Sequence, residues 1–125
     1  MRIEPGVAEE ERSMRKSFES FTPLGPYLVT ADEVPNPGAL QNRLWVNGEL
    51  RQQANTADMI VDIPELIELI SSVLPIAPGD VIATGTPPGV GLGMNPPQYL
   101  GLGDVVELGI GGLGQQRQSV APAGA

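Results

Sequence analysis

The sequence predicts a β-rich α+β fold with one main helix near residues 64–74, and three local patterns carry that expectation. An Asn47-Gly48 pair separates two strand-like segments, a proline-led amphipathic stretch follows, and short apolar runs end in glycine- and proline-rich turns. At 125 residues the chain is the size of one domain. Apolar residues make up 41% of it and aromatics only 4%, so its core is expected to be aliphatic. Its 16 glycines and 13 prolines bring it near the composition of disordered chains, and the regular patterns in its middle argue for order there.

Residues 1–15 carry Glu9-Glu10-Glu11, Arg12 and Arg15 with little apolar periodicity, and read as a polar N-terminal tail. The Pro23-Leu24-Gly25-Pro26 turn leads into Tyr27-Leu28-Val29-Thr30, which reads as a strand, and Pro35 and Pro37 dictate a loop over Asp32–Gly38. Asn-Gly between Leu44-Trp45-Val46 and Glu49-Leu50-Arg51-Gln52 favours a two-residue type I′ hairpin, because both turn residues need positive φ. That register sets Trp45 opposite Leu50 and Val46 opposite Glu49. Pro64 suits a first helical turn, where its missing N–H costs nothing. Leu66, Ile67, Leu69, Ile70, Val73 and Leu74 then repeat with helical spacing until Pro75. Two more strands are expected, Val81–Thr84 after the Pro78-Gly79-Asp80 turn and Val105–Leu108 after a glycine-rich loop. Gln115–Ala125 is polar and then small, with a loose tail over 119–125.

Composition narrows the function. A net charge of −8 leaves no basic surface to replace phosphate counterions, so nucleic acid is excluded as a partner. With no Cys there is neither a disulfide framework nor a thiolate metal site, and with no His the commonest general base is missing. Any bound metal is then expected among oxygens, which favours a hard ion such as Mg²⁺, Ca²⁺ or Mn²⁺. The N-terminus is too polar for a signal peptide and no apolar run reaches spanning length, so a cytoplasmic protein with no membrane partner is expected.

Two glycine strings invite a nucleotide reading and do not sustain it. Gly109-Ile110-Gly111-Gly112-Leu113-Gly114 fits GxGxxG after a strand, yet the 11 residues that follow are too few for the helix, second strand and acidic residue such a site needs. Gly89-Val90-Gly91-Leu92-Gly93 lacks the Lys-Ser/Thr of a P-loop.

Three side chains are candidates for chemistry. Lys16, beside a polar turn, has the compact cation that steadies a carboxylate or enolate oxygen; the plain alternative is a solvated lysine. Thr86 precedes Pro87 and is biased to extended backbone, so its hydroxyl can face a cleft; alternatively it only satisfies a turn. Glu107 sits where alternation sets Val106 and Leu108 on the opposite face, and could be a surface carboxylate.

In their order along the chain, Lys16-Ser17-Phe18, Phe21-Thr22-Pro23-Leu24-Gly25-Pro26, Val46-Asn47-Gly48-Glu49-Leu50-Arg51-Gln52, Asn55-Thr56-Ala57-Asp58-Met59-Ile60 and Pro78-Gly79-Asp80-Val81-Ile82-Ala83-Thr84-Gly85-Thr86-Pro87-Pro88-Gly89-Val90-Gly91 resemble the fumarylacetoacetate hydrolase family. The resemblance implies part of that family's β-roll, with residues 16–118 as a C-terminal catalytic-domain portion. It implies Mg²⁺- or Mn²⁺-dependent C–C bond hydrolysis or isomerisation of acylpyruvates or 2-oxo-diene dicarboxylates in aromatic catabolism, by a homo-oligomer such as a dimer. Lys16 is then catalytic and substrate-binding, Thr86 and Glu107 are substrate-binding, Thr84 is structural, and Lys16 and Thr86 converge on one crevice. Family members hold their metal on a Glu-x-Glu pair and a later acid, all before the KSF-type lysine. Glu9-Glu10-Glu11 has neither that spacing nor that context, so no residue of this sequence is assigned as a ligand, and a non-catalytic remnant or assembly module is the alternative. Half of a roll would also leave apolar sheet surface exposed.

Overall fold

A computed structural model of the chain describes residues 16–122. The tail expected over 1–15, with its Glu9-Glu10-Glu11 run, and the last three residues of the tail expected over 119–125 lie outside the described residues. Four strands form one antiparallel sheet: β1 (Gln41–Val46), β2 (Glu49–Asn55), β3 (Val105–Ile110) and β4 (Gly114–Ser119), in the order β2-β1-β3-β4. One helix, α1 (Ile63–Ser71), joins them in a β-rich α+β fold.

The β1–β2 turn forms as its dipeptide dictates, with Asn47 at φ 52° and Gly48 at φ 80°. Trp45 pairs with Leu50 and Val46 with Glu49, as expected from the turn. Asn47 also ties the turn to β3: its backbone N–H donates to the Val105 carbonyl at 2.8 Å, and its side-chain carbonyl accepts from the Val105 N–H at 2.9 Å. The Asn55–Ile60 motif turns the chain out of β2. Asn55 caps a short helical turn at Thr56–Asp58, while the Thr56 hydroxyl donates to the Pro37 carbonyl and accepts from the Leu40 N–H.

α1 begins one residue before Pro64, with the Asp62 carboxylate accepting from the Glu65 N–H at 2.8 Å. It ends at Ser71, short of Leu74. The last turn tightens there, the Val73 and Leu74 N–H groups both reaching the Ile70 carbonyl. Pro75 disfavours helical backbone at the residue before it. Ile63, Leu66 and Ile70 are half-buried, while Ile67, Leu69, Val73 and Leu74 stay exposed.

Two expected strands need correction, and one strand is unexpected. Tyr27–Thr30 and Val81–Thr84 are not strands, because neither finds a ladder partner among the described residues. The polar run Gly114–Ser119, by contrast, is β4, and its backbone pairs along the whole of β3 from Ile110–Gly114 to Val105–Ser119. The glycine string 109–114 is therefore the hairpin joining β3 to β4, with the Leu113 N–H on the Ile110 carbonyl.

Alternation gives the sheet two unlike faces. Leu44, Val46, Val106, Leu108 and Ile110 share one, and Trp45, Glu107 and Arg117 the other. Residues 86–100 and 25–29 lie over the first face, each leaving a cavity against it. No hydrophobic side chain among the described residues is buried, and Leu28 and Ile60 are 93% and 101% exposed.

The loop comes close to the sheet at Gly89, φ 109°, where a Cβ would stand 1.9 Å from the Arg51 carbonyl oxygen. Gly103, φ 88°, has nothing within 4 Å of that position. Gly89→Ala should therefore cost about 1–3 kcal/mol more than Gly103→Ala, since only the first adds overpacking to the shared backbone strain. Urea denaturation of the two variants measures the difference.

Candidate functional site

The site is organised by a register shift in the hairpin. Leu44 pairs with Gln52 while Trp45 pairs with Leu50, so Arg51 is the extra residue of a β-bulge. Regular pairing from the turn would set Arg51 opposite Leu44 and Gln52 opposite Arg43, on the other face. The bulge instead turns two consecutive side chains, Arg51 and Gln52, toward the loop over the first face.

Both line a cavity of about 540 Å³, walled by Leu44, Val46 and Val106 of the sheet and by Val90 and Tyr99 of the loop. The Arg51 guanidinium holds this loop, donating to the Met94 sulfur and, at 2.8 Å, to Gln98 Oε1. It also lies 3.3 Å from the Glu49 carboxylate, which is itself exposed to solvent, so the contact is worth little by itself. Arg51 Nε is buried without a partner.

Gln52 is the one buried polar side chain among the described residues, at 9% exposure. Its Nε2 donates to Thr86 Oγ1 at 2.9 Å and to the Pro87 carbonyl at 2.8 Å. These bonds pin the bend that the Gly85-Thr86-Pro87-Pro88-Gly89 sequence creates, and Thr86 stays exposed on it. Beneath the same loop, the Asp104 carboxylate accepts from Asn47 Nδ2 and from the Gly101 N–H, at 2.9 and 2.8 Å.

The three residues singled out from the sequence stand on separate segments, and no hydrogen bond or ion pair joins any two of them. Lys16 is exposed, and its backbone carbonyl accepts from the Thr22 hydroxyl at 3.1 Å. Thr86 hangs from Gln52 as described. Glu107 belongs to the sheet face away from both cavities, 3.4 Å from Arg117 Nε on β4. Neither Lys16 nor Thr86 lines either cavity. Sequence reasoning missed Arg51 and Gln52. They stand within one of the motifs quoted above, but their distinction comes from the bulge, which the residues do not announce.

The described residues do not fit a divalent metal. No three of His, Cys, Asp or Glu among them come together as a group able to hold one. None of their helices is long and apolar enough to cross a membrane.

Residues 6–121 match a family model described as fumarylacetoacetate (FAA) hydrolase C-terminal. A relative from Burkholderia multivorans is 52% identical over 104 residues, which are 82% of this chain and 37% of the relative. The solved structure of maleylpyruvate hydrolase from Sphingobium sp. SYK-6, in complex with manganese(II) and pyruvate, is 41% identical with a TM-score of 0.79, over 89% of this chain and 39% of that one. The 5-carboxymethyl-2-hydroxymuconate delta-isomerase of Mycobacterium smegmatis is 36% identical with a TM-score of 0.71, over 83% of this chain and 38% of that one. The chain thus spans well under half the length of the proteins it is similar to.

The hydrogen bond from Asn47, then that from the Gly101 N–H, holds the Asp104 carboxyl below the ordinary aspartate value of 3.8. A folded pKa below the unfolded one adds stability that is complete above pH 3.8 and is lost as pH falls through the folded value. Asp104→Asn should flatten that acid limb and leave the neutral-pH dependence unchanged. Denaturation midpoints measured from neutral pH downward check it.

Proposed function

The chain belongs to the fumarylacetoacetate hydrolase family, and we propose that it provides the C-terminal catalytic-domain portion of a metal-dependent C–C hydrolase or isomerase. The substrates proposed are acylpyruvates or 2-oxo-diene dicarboxylates from aromatic catabolism, handled in the cytoplasm. The observation that carries the reading is the family match over residues 6–121, together with both a hydrolase and an isomerase among the similar structures.

Pyruvate, seen in the maleylpyruvate hydrolase structure, joins a carboxylate to a carbonyl, and both present only acceptor oxygens. In this reading Lys16 supplies a cation to such an oxygen and Thr86 a hydroxyl on a fixed turn. Glu107, paired with Arg117 on the far face of the sheet, takes no part in this reading. A bound Mg²⁺ or Mn²⁺ would act as a Lewis acid on the substrate oxygen. Its carboxylate ligands have to come from outside residues 16–122, because the described residues do not assemble them.

The exposed apolar side chains favour a second reading, a non-catalytic assembly module, and they support self-association under either one. Light scattering over a dilution series should show the chain as a dimer or larger; a monomer throughout would remove the oligomer from the proposal. Pyruvate titrated into the chain should bind roughly tenfold or more weakly after Lys16→Ala, by loss of a charge-assisted contact. Equal affinity in the two proteins, or no pyruvate binding at all, would sink the catalytic-domain reading and leave the assembly module. Saturable, tight Mn²⁺ binding by the same chain would favour the enzyme.

A further inference from the structure

We infer that Gln52 is a positioning residue that fixes the Thr86 hydroxyl as a hydrogen-bond donor, so that Thr86 recognises an acceptor oxygen of the ligand. The inference rests on the proposed function for the class of ligand, and on the hydrogen bonds alone for the direction of donation.

The Pro87 carbonyl oxygen can only accept, so the group of Gln52 that meets it at 2.8 Å has to be the amide nitrogen. That nitrogen carries two hydrogens. One goes to Pro87 and the other to Thr86 Oγ1 at 2.9 Å, which makes the threonine oxygen an acceptor toward the sheet. A hydroxyl has one hydrogen and two lone pairs. With one lone pair taken from below, its hydrogen remains, and among the described residues the Thr86 hydroxyl donates to no acceptor. Thr86 is exposed while Gln52 is buried, so the free O–H is on the solvent side of the turn. An amide donor beneath also polarises the hydroxyl and strengthens its outward donation. The geometry thus suits a carboxylate, carbonyl or enolate oxygen.

Gly89 reinforces the arrangement. It presses on the Arg51 carbonyl, and a Cβ there would also stand 3.0 Å from the Gln52 side chain. The loop therefore cannot slide over the sheet without breaking the paired bonds.

Side-chain amide NMR on the intact 125-residue chain tests the hydrogen bonds, and pyruvate titration tests their consequence. Both Gln52 amide hydrogens should exchange slowly, and the isosteric Thr86→Val should shift one of them far more than the other. Exchange at the rate of a free glutamine side chain would overturn the inference. Gln52→Glu introduces a carboxylate that can only accept, which turns the Thr86 hydrogen inward. Pyruvate affinity should fall roughly five- to fiftyfold. In a Thr86→Val background the same change should alter affinity less than twofold, whereas Thr86→Ser should restore the effect of Gln52→Glu. A full effect without the threonine hydroxyl would show Gln52 acting through the fold at large, and would overturn the inference. If the unmodified chain binds no pyruvate, the catalytic-domain reading fails, and the amide signals alone decide whether Gln52 holds Thr86.

Discussion

One extra residue in β2 decides what the loop side of the sheet presents. The bulge at Arg51 breaks a strict alternation and turns two neighbouring polar side chains to the same side. One of them anchors the far part of the 86–100 loop through Gln98, and the other anchors its near end through Thr86 and Pro87. With regular pairing, the turn at Thr86 would lose its donor from the sheet. Gly89 completes the constraint, because its bare backbone lets the loop come down onto the bulged residue.

The sequence exposes those parts of the fold that rest on short-range chemistry. Asn47-Gly48 specifies its turn and the first two cross-strand pairs, and Pro64 marks the start of α1 to within one residue. Alternation in Val105–Leu108 correctly separates Glu107 from Val106 and Leu108. What depends on a partner is not legible. Val81–Thr84 has strand-like residues and no ladder partner among the described residues, while Gly114–Ser119 has glutamines and an arginine and pairs fully, because β3 offers it an unclaimed edge. The bulge belongs to this second kind. Leu50-Arg51-Gln52 contains no glycine or proline to mark it, so the importance of Gln52 emerges only from the pairing.

The same division runs through the site. Thr86 stands out in sequence because glycine and proline surround it, and the structure shows it exposed on a turn held from below. Lys16 stands out by resemblance, and its placement rests on a local turn closed by Thr22. The sheet carries Glu107 to the opposite face, where Arg117 accompanies it. Around these residues the chain buries little apolar surface of its own, and Leu28 and Ile60 are left in solvent. A chain that spans 37% of the Burkholderia relative has much less opportunity to enclose such side chains than the longer protein does.

The link between Gln52 and Thr86 crosses 34 positions of sequence. Anyone transplanting the threonine-bearing loop into another scaffold would carry the hydroxyl without the amide that orients it. The smallest portable unit is the loop with its bulged hairpin, and a library that diversifies one while freezing the other would be searching with half of the device missing.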